Sequence, residues 1–243
     1  MPTRLVPLLK VFVHLALLAP VVWLLEQYRN GALAANADPV NYITHFTGNW
    51  TLWILLGSLA ITPIRRLSPR LGWLIRFRRL IGLYAFFYAT LHLSTYIFLF
   101  SGYDLPGAIA GIKTGHPGVI VDQWKAVWPT MLDDAKKRRF IQVGLFAWII
   151  LLLLAATSPK AVLMALGGKH WQRIHRLVYI AAIAGVVHYM WLVKTGVRAP
   201  WKDGAVLAVL LLARITWSLK KRFTKPPVQR VPIPLVPTKD IVR

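Results

Sequence analysis

Apolar residues fall along this chain in runs of helix length, separated by short polar and mostly basic stretches. Six runs stand out, at about 8–27, 45–62, 79–100, 140–157, 174–193 and 203–220. Each is close to the roughly 20 residues that an α-helix needs to cross the hydrocarbon of a bilayer. None alternates strictly between apolar and polar positions, so a β-barrel does not fit. The pattern predicts an all-α membrane protein, a six-helix transmembrane bundle. Pro63 and Pro159 are read as helix ends, because proline lacks the amide donor and clashes with the preceding turn. Arg4 and Lys10 precede the first run and ALAANA follows it at 32–37, a pattern resembling a secretory signal with a small-residue cleavage site. That site lies far past the apolar run, and further runs follow, so a retained first span is expected.

The polar stretches set the orientation. With the N-terminus inside, the cytoplasmic segments hold 18 Lys and Arg residues and the outer loops hold 10. The positive-inside rule then gives an N-in/C-in topology. PIRRLSPRLGWLIRFRR, 63–79, weighs most, with six arginines and no acid. KKRR at 136–139 points the other way, partly offset by Asp133 and Asp134. The longest outer loop, 101–139, holds WKAVWPTMLDDA, which reads as a short interfacial helix. It serves either as a docking surface or lid over a site, or as a surface loop anchored by Trp124 and Trp128. Residues 1–222 form the expected membrane domain, and the Pro-rich 223–243 an extended cytoplasmic tail.

Composition narrows the function classes. Hydrophobic residues make up 56% of the 243, and mean hydropathy is +0.52. A net charge of +22 on a soluble protein would point to nucleic acid. Here the cations sit between apolar runs, so the expected surroundings are a lipid bilayer and no nucleic acid. The 11 tryptophans suit two lipid–water interfaces. There is no cysteine, which removes disulfides, thiolate metal sites, iron–sulfur clusters and c-type haem attachment. Any metal centre must use His, Met or oxygen ligands. No glycine-rich nucleotide fingerprint follows a strand, so electrons or nucleotides would come from elsewhere.

Three of the seven histidines, His92, His175 and His188, lie within or at the border of apolar runs. Ionisable groups there are expensive and are functional candidates by default. His92 lies thirteen residues beyond Arg79, roughly 20 Å at 1.5 Å per residue. His188 lies equally far beyond His175 on a helix that runs the same way. His92 and His188 therefore share a depth, and two facing imidazoles are natural axial ligands of a b-type haem. Interhelical hydrogen bonding is the structural alternative for all three. Ala181, Ala182, Ala184 and Gly185 either make room for a flat macrocycle or allow close helix packing. On a continuous helix His175 and His188 would sit about 140° apart, so they need not share a partner. Opposite His175 the third run offers arginine. Arg78, Arg79 and Arg176 either offset propionate or flavin phosphate charge or obey the positive-inside rule. His14 is a weaker candidate for the same cavity. His45 is placed to meet a quinone head group or simply to sit at the interface, while His116 and His170 carry little signal.

RRLIGLYAFFYATLHLSTY (78–96), WQRIHRLVYIAAIAGVVHYMWLVK (171–194) and YITHFTGNWTLWILLGSLAITPIRRL (42–67) together resemble the MsrQ (YedZ) family. These are haem-binding membrane subunits of bacterial methionine sulfoxide reductase systems, within the ferric-reductase-like transmembrane superfamily. The resemblance covers roughly residues 5–220. It implies a multi-pass protein of the bacterial inner membrane that carries haem b and FMN. It implies electron transfer from a cytoplasmic flavin reductase or from quinol to MsrP, a periplasmic molybdopterin enzyme that repairs oxidised methionine in proteins. The chain would then be an electron-transfer subunit of an oxidoreductase system. The family's haem-associated histidines fall on His92, His175 and His188. Superfamily oxidases carry paired histidines on both helices, and this chain lacks the inner one on its third run. The resemblance thus implies one haem on His92 and His188, with His175 serving a second cofactor or an alternative ligation of the metal. The alternative is a stand-alone cytochrome b acting as a quinol or ferric oxidoreductase.

Overall fold

The six apolar runs fold into helices in the computed structural model, which describes residues 5–193 and 198–223. The α-helices are α1 (Leu5–Arg29), α2 (Pro39–Leu67), α3 (Arg78–Thr95), α4 (Leu105–Lys113), α5 (Gly118–Lys137), α6 (Arg139–Ala156), α7 (Lys160–Leu166), α8 (Gly168–His175), α9 (Val178–Leu192) and α10 (Ala199–Phe223). A 3₁₀ stretch, Pro69–Phe77, leads into α3, and a π-helical turn, Tyr96–Phe100, ends it. The Pro-rich tail expected at 223–243 lies outside the described residues apart from Phe223.

Local chemistry explains the boundaries. Asp38 caps α2 by accepting from the Asn41 amide at 3.0 Å, with Pro39 in the first turn, where its missing N–H costs nothing. The helix therefore begins before position 45. Pro63 does not end α2, contrary to the sequence reading. It is buried inside the helix, which runs on to Leu67. One absent donor near the end of a packed helix is offset by the burial of Leu59, Ile61 and Thr62 around it. The stop comes instead at Ser68, which is extended and accepts from the Arg70 amide at 3.3 Å.

Four stretches among the described residues are long and apolar enough to cross a membrane: Leu5–Arg29, Pro69–Phe100, Arg139–Ala156 and Gly168–Leu192. The structure is thus all-α and multi-spanning. The expected second and sixth spans, on α2 and α10, are long helices outside this set. Polar and small residues such as Thr47, Gly48, Asn49 and Thr51 dilute the first, and Lys202, Asp203 and Arg214 dilute the second. The expected fifth span, 174–193, coincides with most of Gly168–Leu192, whose helix is interrupted for two residues. α8 ends at His175 and α9 begins at Val178.

α2 lies at the centre and packs on α3, α9 and α10, while α6 packs on α9 and α3. The core is built from Leu52, Leu55 and Leu59 of α2, Ala85 and Tyr88 of α3, Leu151 of α6, Ala181 and Ala182 of α9, and Leu207 of α10. Ala181 and Ala182 are fully buried in that core. Ala181 and Ala182 thus take part in close helix packing. α1 buries only Val6 and Pro20 and is held by two bonds to α3. His14 Nδ1 pairs with the Tyr84 hydroxyl at 2.8 Å, and the Tyr88 hydroxyl donates to the Leu17 carbonyl at 2.7 Å.

The loop at 101–139 is more ordered than one short helix. α4 and α5 form a helical hairpin, fastened to the end of α3 by Phe98, Tyr103 and Trp124, whose ring centroids lie 5.4–6.2 Å apart. Half of the KKRR cluster is neutralised locally. Lys137 pairs with Asp133 at 2.5 Å and Arg138 with Asp134 at 3.1 Å. The hydrogen bond that Lys137 donates to Asp133 holds its exposed ammonium above its ordinary pKa.

Candidate functional site

α3 and α9 bring His92 and His188 together. Their ring centroids are 5.9 Å apart and their planes are 81° from coplanar. Each ring is held by a main-chain carbonyl from the helix packed behind it. His92 Nδ1 lies 3.0 Å from the Thr44 oxygen of α2, with the Thr47 hydroxyl at 3.4 Å. His188 Nδ1 lies 2.7 Å from the Phe140 oxygen of α6. A carbonyl can only accept, so Nδ1 carries the proton in each neutral ring and Nε2 keeps the lone pair. That is the arrangement in which a protein imidazole serves a metal, its other nitrogen fixed by an outer partner.

Two glycines make the arrangement possible. A Cβ on Gly48 of α2 would come within 3.0 Å of His92, and one on Gly144 of α6 within 2.6 Å of His188. Both positions are helical, where glycine costs about 1 kcal/mol relative to alanine. The imidazoles thus fill the space that side chains there would take. Sequence reasoning missed both glycines. The available signal was a Gly inside the otherwise unbroken apolar run of α6.

His175 has a different setting. Its ring stacks on Trp171, with centroids 3.8 Å apart, and its Nε2 lies 3.2 Å from the Thr157 hydroxyl. Trp171 in turn donates to the Thr157 carbonyl at 2.8 Å, which ties α8 to the end of α6. Between α8 and α9 the amides of Arg176, Leu177 and Tyr179 bond to carbonyls three residues back. Such 3₁₀ geometry turns about 120° per residue instead of 100°. Three residues of it shrink the 140° offset between His175 and His188 to about 80°.

Arg78 and Arg79, at the start of α3, are the cations whose fields reach His175. Arg176 lines a groove of about 230 Å³ with Lys169, Gln172 and Arg173. His14 is taken by Tyr84, and His45 sits near Tyr189, with ring centroids 6.3 Å apart. His45 also lies close enough to His92 for its charge to act on that ring. Among the described residues no three His, Asp or Glu side chains converge as a metal cluster. The pair is therefore suited to a metal whose remaining ligands come with it, as a haem iron's do.

Residues 47–186 match the model of the ferric-reductase-like transmembrane component. Curated relatives extend the match. The chain is 42% identical over 188 residues to the protein-methionine-sulfoxide reductase heme-binding subunit MsrQ of Herminiimonas arsenicoxydans, covering 76% of this chain and 75% of the relative. It is 40% identical over 220 residues to the MsrQ subunit of Xanthomonas oryzae pv. oryzae (strain MAFF 311018), covering 89% of each. The chain belongs to the MsrQ family. As an MsrQ-family member it is a multi-pass protein of the inner membrane. The match to the broader ferric-reductase-like family includes His92 and His175, with α3, α6 and most of α2 and α9, and stops two residues short of His188.

Proposed function

We propose that this chain carries electrons across the membrane through a b-type haem and delivers them to a periplasmic protein-methionine-sulfoxide reductase, the molybdopterin subunit MsrP. The observation that carries this reading is the His92–His188 pair. Their ring centroids lie 5.9 Å apart and each ring keeps an Nε2 lone pair that could hold a metal between them. The haem supplies a one-electron couple whose potential depends on axial ligands, hydrogen bonds and burial. His92 and His188 would hold the iron through Nε2. The carbonyls of Thr44 and Phe140 fix both tautomers, and Gly48 and Gly144 leave the rings room to keep their positions. The apolar bundle around them excludes water.

His175 is assigned to the inner end of the route, where a second haem or FMN would sit. There Arg78, Arg79 and Arg176 would offset propionate or flavin phosphate charge. Quinol or a cytoplasmic flavin reductase is the donor in this reading. It takes residues 1–222 as one membrane domain and adds α2 and α10 to the spans, six in all, with both termini inside. The basic stretch 63–79 supports that orientation. The relatives are haem-binding subunits by name, and that supports the cofactor.

The test is a reduced-minus-oxidised spectrum of purified, cofactor-replete protein, with haem and flavin counted per polypeptide. Reoxidation by MsrP is then followed by stopped flow. A low-spin b-type spectrum and fast reoxidation by MsrP are expected. Absence of a Soret band overturns the reading, and equally fast turnover with ferric ion or oxygen alone favours a stand-alone cytochrome b.

A further inference from the structure

Among the described residues, Arg66 and Arg214 lie at one end of the bundle with no carboxylate paired to them. Arg214 of α10 reaches inward, donating to the Tyr179 hydroxyl of α9 and the Leu59 carbonyl of α2, with its guanidinium carbon 5.0 Å from the Tyr179 ring centroid. Beside it, Arg66 of α2 lies over Trp217 of α10 at 5.5 Å. The ionisable groups acting on Arg214 are Tyr179, Arg78 and Arg66, and no carboxylate is among them. The ion pairs of the described residues, Arg29–Glu26, Lys137–Asp133 and Arg138–Asp134, lie elsewhere. The sequence explains why. α2 and α3 contain no acid, and the one acid of α10, Asp203, is eleven residues from Arg214, about 16 Å along the helix.

Polar atoms in the same region lack partners. Thr62 Oγ1, Arg65 Nε and Arg214 Nε are buried without a hydrogen bond. A half-buried guanidinium beside two like charges, among unpaired donors, calls for an anion with several acceptor oxygens. The flanks add a second requirement. Ile64 and Leu67 of α2 and Ile215 and Leu219 of α10 are apolar and 40–73% exposed. An occupant that matches both is charged at one end and greasy at the other.

We propose that the cleft between the ends of α2 and α10 binds an anionic phospholipid. Arg66 and Arg214 donate hydrogen bonds to its phosphate oxygens, and its acyl chains lie along Ile64, Leu67, Ile215 and Leu219. Basic pockets between membrane helices on the cytoplasmic side recognise anionic head groups in this way. The proposal rests on the reading of α2 and α10 as membrane-spanning helices.

Native mass spectrometry of the full-length protein in detergent tests it, with phosphatidylglycerol or phosphatidylcholine of matched acyl chains added. Phosphatidylglycerol should be retained preferentially. Arg66→Gln, at an exposed position that leaves the core intact, should lower its occupancy about fivefold, the effect of one basic residue at a membrane surface. Phosphatidylcholine adducts should not change. Arg70→Gln, an equal charge loss on the neighbouring 3₁₀ stretch, should leave both lipids as they were. Equal retention of the two lipids by the unmodified protein, or an Arg66→Gln profile like that of the unmodified protein, overturns the proposal. So does displacement of phosphatidylglycerol by inorganic phosphate or FMN at matched concentration, which would make the ligand a soluble phosphate. The haem spectrum of Arg66→Gln, recorded on the same samples, separates this site from the His92–His188 reading.

Discussion

Gly144→Ala is the sharpest single test of how the histidine pair is built. The added Cβ would lie 2.6 Å from His188 Nδ1 and 2.8 Å from its Cε1, where ordinary contact begins at 3.4 Å. The ring must therefore retreat by about 0.8 Å. It has no free direction in which to do so. Its Nδ1 is bonded at 2.7 Å to the Phe140 carbonyl, one turn away on the same helix as Gly144, and His92 stands 5.9 Å off. A shift of that size stretches the Nδ1 bond to its limit and moves Nε2 off its line. Losing such an outer partner costs 10–100-fold in metal affinity or activity. The backbone gives a contrasting signal, since alanine favours the helix by about 1 kcal/mol, partly cancelling an overpacking cost of about 1–3 kcal/mol. Binding should thus suffer more than folding. Haem affinity, measured by competition with an apo-haem protein, should fall 10–100-fold, with thermal unfolding of the haem-free form little changed. Gly48→Ala should be milder, since its Cβ would approach His92 to 3.0 Å and need a shift of only about 0.4 Å. Stoichiometric low-spin haem with an unchanged midpoint potential in Gly144→Ala would refute this reasoning, as would a harsher effect of Gly48→Ala.

Further outcomes follow from the same geometry. His92→Ala and His188→Ala should each abolish the low-spin haem spectrum, and full haem retention in both would break the assignment. His175→Ala should slow reduction by the inner donor while sparing the outer haem signal, and stopped-flow traces identical to those of the unmodified protein would remove His175 from the route. Tyr88→Phe deletes the bond to the Leu17 carbonyl from a fully buried position, which should cost about 1 kcal/mol. Thermal unfolding in detergent and protease sensitivity of α1 measure that loss. Arg214→Ala removes two bonds that join α2, α9 and α10, and should lower stability by about 1–2 kcal/mol in the same unfolding assay.

Much of this architecture was legible in the sequence because membrane helices write long signals. α6 spans Arg139–Ala156 against an expected 140–157, since its run is apolar throughout and bounded by KKRR and SPK. The juxtaposition of His92 and His188 followed from depth counted from two basic borders. The break between α8 and α9 had no such mark, because Arg176 and Leu177 are ordinary helix formers and only the bond pattern tightens. Pro63 misled because a proline signals a helix end only where packing does not hold the helix together. The anchors of both rings are main-chain oxygens, which leave no trace in side-chain identity. Gly48 and Gly144 needed a partner helix before their meaning could be read.

Each histidine is clamped inside its own helix pair, His92 between α3 and α2 and His188 between α9 and α6. The rings meet where the two pairs join. A group bound by both is therefore a rivet across a seam, and its binding energy adds to the cohesion of the two halves. Because the clamps are carbonyls, no side-chain replacement deletes them directly. The site is vulnerable instead to sliding, since a helix displaced by one residue moves its ring by about 1.5 Å along the axis and out of register with the other. The pair thus acts as a vernier between two halves of the bundle, and the proposed electron route would depend on their alignment.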